Sequence, residues 1–137
     1  MSGNIKIKQY DDNRDDKAVF ALMRLEADWG GYCDSVNVEN YKIALKESLT
    51  YVLYNDNILC GFIRVRDDFG FAVYIHDLLV GKMYRGNSYG KMLIEHVADN
   101  FLNSTVYVMS DVDDYYHKQG YKTIEGRIII VREKSSC

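Results

Sequence analysis

The stretch Arg85-Gly86-Asn87-Ser88-Tyr89-Gly90-Lys91 constrains this chain most, because of what flanks it. An apolar, strand-like run from Phe71 to Val80 leads into it, and a helix-like run from Lys91 to Leu102 leaves it, with Leu93, Val97 and Phe101 on one face. Thr105 to Met109 then reads as another strand. The three pieces make a βαβ unit, so the two strands should run parallel with a right-handed crossover. A loop of Gly and small polar residues before a helix N-terminus offers several backbone N–H groups to one anion, and the helix dipole adds partial positive charge there. Phosphate or pyrophosphate is the natural guest, with Arg85 and Lys91 as counter-charge. Taken alone, the loop reads equally well as a plain strand–turn–helix connection.

Antiparallel signals dominate the rest. Ile5-Lys6-Ile7-Lys8 alternates as a first strand, and Ala18 to Ala27 carries apolar residues at helical spacing with Asp15 and Asp16 near its start. Asp28 to Val38 is a loop holding Trp29, Gly30, Gly31, Tyr32 and Cys33; Tyr41, Ala44, Leu45 and Leu49 suggest a second helix. Thr50 to Tyr54, the turn Asn55-Asp56-Asn57 and Ile58 to Val65 form a hairpin, and Asp67 to Gly70 turns into the strand starting at Phe71. A short polar helix over Asp111 to Lys118 and a strand from Tyr121 to Val131 come last. The expected fold is α+β: one domain over residues 1–137, with a mixed, mostly antiparallel sheet flanked by helices. The mixed strand order and the single βαβ unit argue against a Rossmann-type nucleotide binder.

Composition narrows the function. With 47% hydrophobic and 27% charged residues the chain is an ordinary globular one, and no apolar run approaches the ~20 residues that span a bilayer. The polar N-terminus is not a signal peptide, so a cytoplasmic protein without a membrane partner is expected. Net charge is −3 with no basic block, which argues against nucleic acid. Cys33, Cys60 and Cys137 have no metal-ligand spacing, and His96 and His117 are too isolated for a zinc site, so no metal is expected. Cys60 reads as core; Cys33 reads as a loop cysteine more readily than as a nucleophile.

A second motif, Asp113-Asp114-Tyr115-Tyr116-His117-Lys118-Gln119-Gly120-Tyr121, lies beyond the βαβ unit. Together with Asp77-Leu78-Leu79-Val80 and Tyr84-Arg85-Gly86-Asn87-Ser88-Tyr89-Gly90, it resembles the GNAT superfamily of acyl-CoA-dependent N-acetyltransferases. The family's loop signature is Arg/Gln-x-x-Gly-x-Gly/Ala, and its later signature is an aromatic–Tyr pair, a short polar stretch, then Gly and an aromatic residue. The resemblance is good from about Tyr74 to Tyr121, and the element order agrees from residue 5 to residue 131. Ser88 stands where the family has its central Gly, and Lys82 where many relatives have Pro.

The resemblance implies acetyl-CoA as acyl donor, bound through Arg85, Gly86, Asn87, Ser88, Tyr89, Gly90 and Lys91. It also implies that the strand before the loop splays from its parallel neighbour, forming the CoA cleft, so that the backbone of Leu79 and Val80 holds the pantetheine arm. A backbone N–H near Leu79 would polarise the thioester carbonyl. Tyr116 matches the family's general acid: a phenol of pKa about 10 can share a proton with a departing thiolate of about 8.5. The acceptor pocket falls on Trp29 and Tyr32, with Asp28 and Asp34 able to attract a cationic amine. That acceptor would be a primary amine of a small molecule or peptide, attacking directly in a ternary complex; family habit allows a homodimer. The alternative is a non-catalytic module of the same fold that senses or binds acyl-CoA, which Ser88 favours and Tyr116 opposes.

An alkylammonium acceptor, of pKa about 10.4, must lose a proton before attack. Asp77 is the best base in the sequence, because it interrupts an apolar run where a buried carboxylate is costly unless paired or useful. It reads equally as half of a buried ion pair with Arg64 or Arg66 across the hairpin. Strand alternation puts Asp77 with Ile75 and Leu79 on one face, and His76 with Tyr74 and Leu78 on the other. His76 reads first as a satisfied histidine, and a water chain to solvent would serve in place of either.

Overall fold

The structure is a computed structural model that describes residues 3–108. Met109, the short helix expected over Asp111–Lys118 with Tyr116, and the strand expected over Tyr121–Val131 lie outside the described residues. The elements run β1 (Ile5–Gln9), α1 (Asp12–Arg24), a 3-10 helix (Ala27–Tyr32), α2 (Val38–Glu47), β2 (Leu49–Asn55), β3 (Ile58–Asp67), β4 (Val73–Val80), a 3-10 turn (Lys82–Tyr84), α3 (Tyr89–Asn100) and β5 (Val106–Val108). The sheet order is β1-β2-β3-β4-β5; β1 through β4 pair antiparallel and β5 joins β4 in parallel. This is the mixed α+β sheet expected from the sequence. Among the described residues no helix is long and apolar enough to cross a membrane.

Each face of the sheet carries its own core. Val19, Phe20, Leu22 and Met23 of α1, with Tyr41 and Leu45 of α2, pack on Val52, Leu59, Phe62 and Leu79. On the other face Tyr89, Leu93, Ile94 and Val97 of α3 pack on Leu53, Cys60, Ile63, Val65, Val73 and Ile75. Burying each such side chain contributes about 1.5–3 kcal/mol. At Gly61 the two central strands come close, for a Cβ there would lie 2.7 Å from the Leu79 carbonyl oxygen.

Strict alternation fails in β4. Arg64 pairs with Asp77 and Val65 with Ile75, which leaves His76 as an extra residue in the ladder. Cross-strand partners share a face. Asp77 therefore lies with Arg64, Leu79 and Phe62 on the α1/α2 side, while Ile75 lies with Val65 and Val73 under α3. The expectation that Asp77 and Ile75 share a face is thus corrected: a bulge adds one residue and re-aims the side chains beyond it.

Helix α1 starts at Asp12, well before the apolar periodicity that begins near Ala18, because polar residues set its start. Asp11 caps it by accepting from the Asn13 N–H at 3.0 Å. Asp15, fully buried, accepts from Arg14 Nε (2.9 Å) and Nη2 (2.8 Å), the Tyr54 hydroxyl (2.7 Å) and the Asp11 N–H (2.9 Å), tying α1 to β2. Burial would raise the Asp15 pKa, but these donors together hold it below the usual carboxylate value. Burial and the same carboxylate push Tyr54 up to about 12, so it remains a donor.

Since the folded pKa of Asp15 is depressed, its stabilisation is complete above the unfolded value of about 3.9 and is lost as pH falls through the lower folded value. Asp15→Asn should cost about 2 kcal/mol at pH 7, read by urea unfolding. The gap to wild type should close as the buffer is taken below the unfolded carboxylate value. A gap of constant size down to that acidity would refute the charged role.

Candidate active site

The loop after β4 is built by backbone geometry. Gly86 and Ser88 both hold left-handed conformations, at φ +89° and φ 63°, and α3 begins at Tyr89 directly after them. A Cβ at Gly86 would meet nothing within 4 Å, so that glycine serves its backbone conformation and not a tight contact. Met92 donates to the Ser88 carbonyl at 3.0 Å, which leaves the N–H groups of Tyr89, Gly90 and Lys91 at the helix start without an intrahelical acceptor. Among the described residues, no acceptor serves the N–H groups of residues 88–91. Ser88 caps nothing with its side chain. A row of free N–H groups at a helix N-terminus is what an anion needs.

The loop's side chains divide. Arg85 turns back, donating through Nε to the Val80 carbonyl at 3.1 Å and through Nη2 to the Glu26 carboxylate. Tyr89 is buried against the α3-side core and its hydroxyl accepts from Asn55 Nδ2 at 3.2 Å, so only its backbone faces this role. Asn87 Nδ2 donates to the Tyr84 carbonyl at 2.9 Å. Lys91 is half-exposed, 3.9 Å from Glu95.

Among the described residues β4 pairs with β3 along one edge as far as Val80 and with β5 along the other at Val73, Tyr74 and Ile75. The Leu79 side chain is buried, and Val80 packs on the α3-side core, so any ligand along this edge would meet their backbone.

Asp77 sits on the opposite side of that strand from α3, inside a polar network. Its Oδ2 accepts from Arg64 Nε at 2.6 Å and from the Tyr41 hydroxyl at 2.8 Å. Arg64 Nη1 also donates to Ser48 Oγ at 3.1 Å, and the guanidinium lies 5.6 Å from the centre of the Tyr41 ring. Of the two arginines open as partners from the sequence, Arg64 is therefore the one engaged. Burial and the Asp77 charge push the Tyr41 pKa well above that of a free phenol, so Tyr41 stays protonated and donates. Burial, with help from Arg64, holds His76 below the usual imidazole value, keeping it neutral at physiological pH.

Trp29 and Tyr32 reach the same network through rings. The Trp29 ring lies 5.3 Å from Tyr32 and 5.8 Å from Phe62, and Tyr32 lies 4.8 Å from Tyr41. The fold thus gathers Trp29, Tyr32 and Asp77 on one side of the sheet, and the loop residues at the end of β4; Tyr116 lies outside the described residues. Sequence reasoning missed Tyr41 and Glu26. Tyr41 read as a helix core position, and the available signal was that a buried hydroxyl needs a partner. Among the described residues no group of three or more His, Cys, Asp or Glu side chains is placed to hold a metal ion.

Comparison with known proteins agrees with this architecture. The family profile described as Acetyltransferase (GNAT) domain matches residues 12–131. A GNAT-family acetyltransferase from Streptococcus pneumoniae is 24% identical, with 95% of this chain and 100% of that one covered at a TM-score of 0.70. An aminoglycoside acetyltransferase from an uncultured soil metagenomic sample, in complex with sisomicin, is 23% identical over 96% and 97% of the two chains, with a TM-score of 0.68. PaiA N-acetyltransferase from Thermoplasma acidophilum, in complex with coenzyme A, is 15% identical over 90% and 93%, with a TM-score of 0.69. No curated protein sequence matches the chain. With the profile spanning nearly its whole length, on a fold that these solved acetyltransferases share, the chain belongs to the GNAT acetyltransferase family and is an acyltransferase.

Proposed function

We propose that the protein transfers an acetyl group from acetyl-CoA to a primary amine of a small molecule or peptide, by direct attack in a ternary complex. The observation that carries this reading is the row of N–H groups without acceptors at residues 88–91, in the loop after β4 and at the start of α3. Residues 86–91 would hold the pyrophosphate, with Lys91 adding charge, and the backbone of Leu79 and Val80 would hold the pantetheine arm. Coenzyme A in complex with the Thermoplasma relative supports the donor, and the sisomicin complex supports an amine acceptor.

Acetyl-CoA, when bound, supplies an activated acetyl thioester. The acceptor's nitrogen forms the new C–N bond as the C–S bond breaks, so one proton must leave the ammonium and one must reach the departing sulfur. Asp77 is assigned the first: Arg64 and Tyr41 occupy Oδ2, and among the described residues Oδ1 accepts no hydrogen bond. Tyr116 is assigned the second. Trp29 and Tyr32 would line the acceptor side with aromatic faces, which suit a cationic amine before it loses its proton. Ser88 takes the left-handed backbone despite its side chain, so replacing the family's glycine does not by itself favour a binding-only module.

The first test is calorimetric titration with acetyl-CoA and with ADP, and then thiol release with a panel of amines. Binding of both, with release dependent on an amine, is expected; absence of acetyl-CoA binding would refute the proposal. Tyr116→Phe and Asp77→Asn should each lower kcat about 10²-fold while leaving acetyl-CoA affinity near wild type. The Asp77→Asn loss should shrink as pH rises, because more of the amine is already neutral; a loss of equal size at every pH would assign Asp77 a structural role only. Ser88→Gly should relieve left-handed strain and raise stability by up to about 1 kcal/mol, with acetyl-CoA bound at least as tightly. A less stable Ser88→Gly protein would sink the strain argument.

A further inference from the structure

Arg85 is the basic residue nearest the start of the cofactor loop, and charge alone would make it a phosphate ligand. Its surroundings say otherwise. Nε is committed to the Val80 carbonyl, at the end of β4, and Nη2 to Glu26, just beyond the end of α1. The Glu26 side chain is only 10% exposed, against 56% for Arg85, so the arginine's charged end lies over a carboxylate that is mostly removed from water. Pulling Arg85 away to a phosphate would leave that carboxylate uncompensated, which is costly. The Glu26 carbonyl in turn accepts from the Trp29 N–H at 3.0 Å, so the same residue anchors the segment that carries Trp29.

We propose that Glu26 and Arg85 are positioning residues: the pair braces the loop from below, holding Gly86 and Ser88 in their left-handed conformations so that the free N–H groups stand preformed for the pyrophosphate. This rests on the functional reading above. The brace ties the end of α1 to a distant part of the chain, the end of β4 and the first residue of the loop that follows it. A guanidinium is suited to it, because one planar group donates in two directions at once; a lysine is a single point charge. Phosphate recognition is then left to backbone N–H groups and Lys91. The gain is preorganisation, since a loop already shaped costs less to order on binding.

The competing role for Arg85, that of a phosphate ligand sequestered by Glu26, predicts the opposite sign in one experiment. Calorimetric titration with ADP and with coenzyme A should show Glu26→Gln weakening both about tenfold, since a charge-assisted bond that shapes the loop is lost. Tighter or unchanged binding in Glu26→Gln would overturn the brace. Arg85→Gln and the double variant should be weakened to the same degree as Glu26→Gln, because all three remove one shared interaction. Should Glu26→Gln fail to fold, Arg85→Lys decides at an exposed position. A brace predicts that lysine binds ADP as poorly as glutamine does, whereas a phosphate ligand predicts that lysine keeps most of the affinity. Pantetheine, which carries no pyrophosphate, should bind the variants as it binds wild type; an equal loss there would mean general damage and not loop positioning. If the wild-type protein binds neither ADP nor coenzyme A, the functional reading falls and takes this assignment with it, whereas wild-type binding with an indifferent Glu26→Gln removes the brace alone.

Discussion

The bulge at His76 is the constraint on which the site depends. One extra residue in β4 turns Asp77 away from the apolar core under α3 and toward Arg64 and Tyr41. A carboxylate facing Ile75, Val65 and Leu93 would be buried with no donor to meet it, at a cost of several kcal/mol. On the other side it meets a guanidinium from the neighbouring strand and a phenol from α2, so one register change converts a liability into a cross-element tie. The bulge lies directly after Ile75, which β5 pairs in parallel through Val108, so the residue that re-aims Asp77 sits beside the parallel pair of the sheet.

Two polar networks hold the helices to this sheet. Asp15 fastens α1 to β2 through Tyr54, and Asp77 fastens α2 to β4 through Tyr41. In both, a buried carboxylate takes a tyrosine hydroxyl from another element and an arginine. Apolar packing supplies most of the stabilisation on each face, but it is non-directional. Hydrogen-bonded carboxylates accept only a few geometries, so they fix how each helix sits over the strands. The aromatic rings of Trp29, Tyr32 and Tyr41 then line up beside Asp77 as a consequence of where α2 is held.

Much of this was legible in the sequence. The apolar alternation of β1 through β4, the helical spacing of α3 and the Gly-containing loop before it are local patterns, and each element formed close to its expected place. Boundaries moved where polar capping outweighed apolar periodicity, as at Asp11 and Asp12, or where a turn took the first residues of a strand. Phe71 shows the second effect: its N–H donates to the Asp68 carbonyl in the turn, so β4 begins at Val73.

By itself the sequence determined the order of the described elements, the mixed sheet with its one parallel pair, the family and the Gly-containing loop before α3, because these arise from periodicity and from motifs only a few residues long. Tertiary structure alone decided which way Asp77 points, which arginine it pairs with, and that Arg85 lies against Glu26. Those outcomes depend on strand register and on residues far apart in the chain: Asp77 meets Tyr41 from another element, and Arg85 meets Glu26 across most of the described fold. A bulge shifts every face beyond it by one residue, and no local pattern announces it.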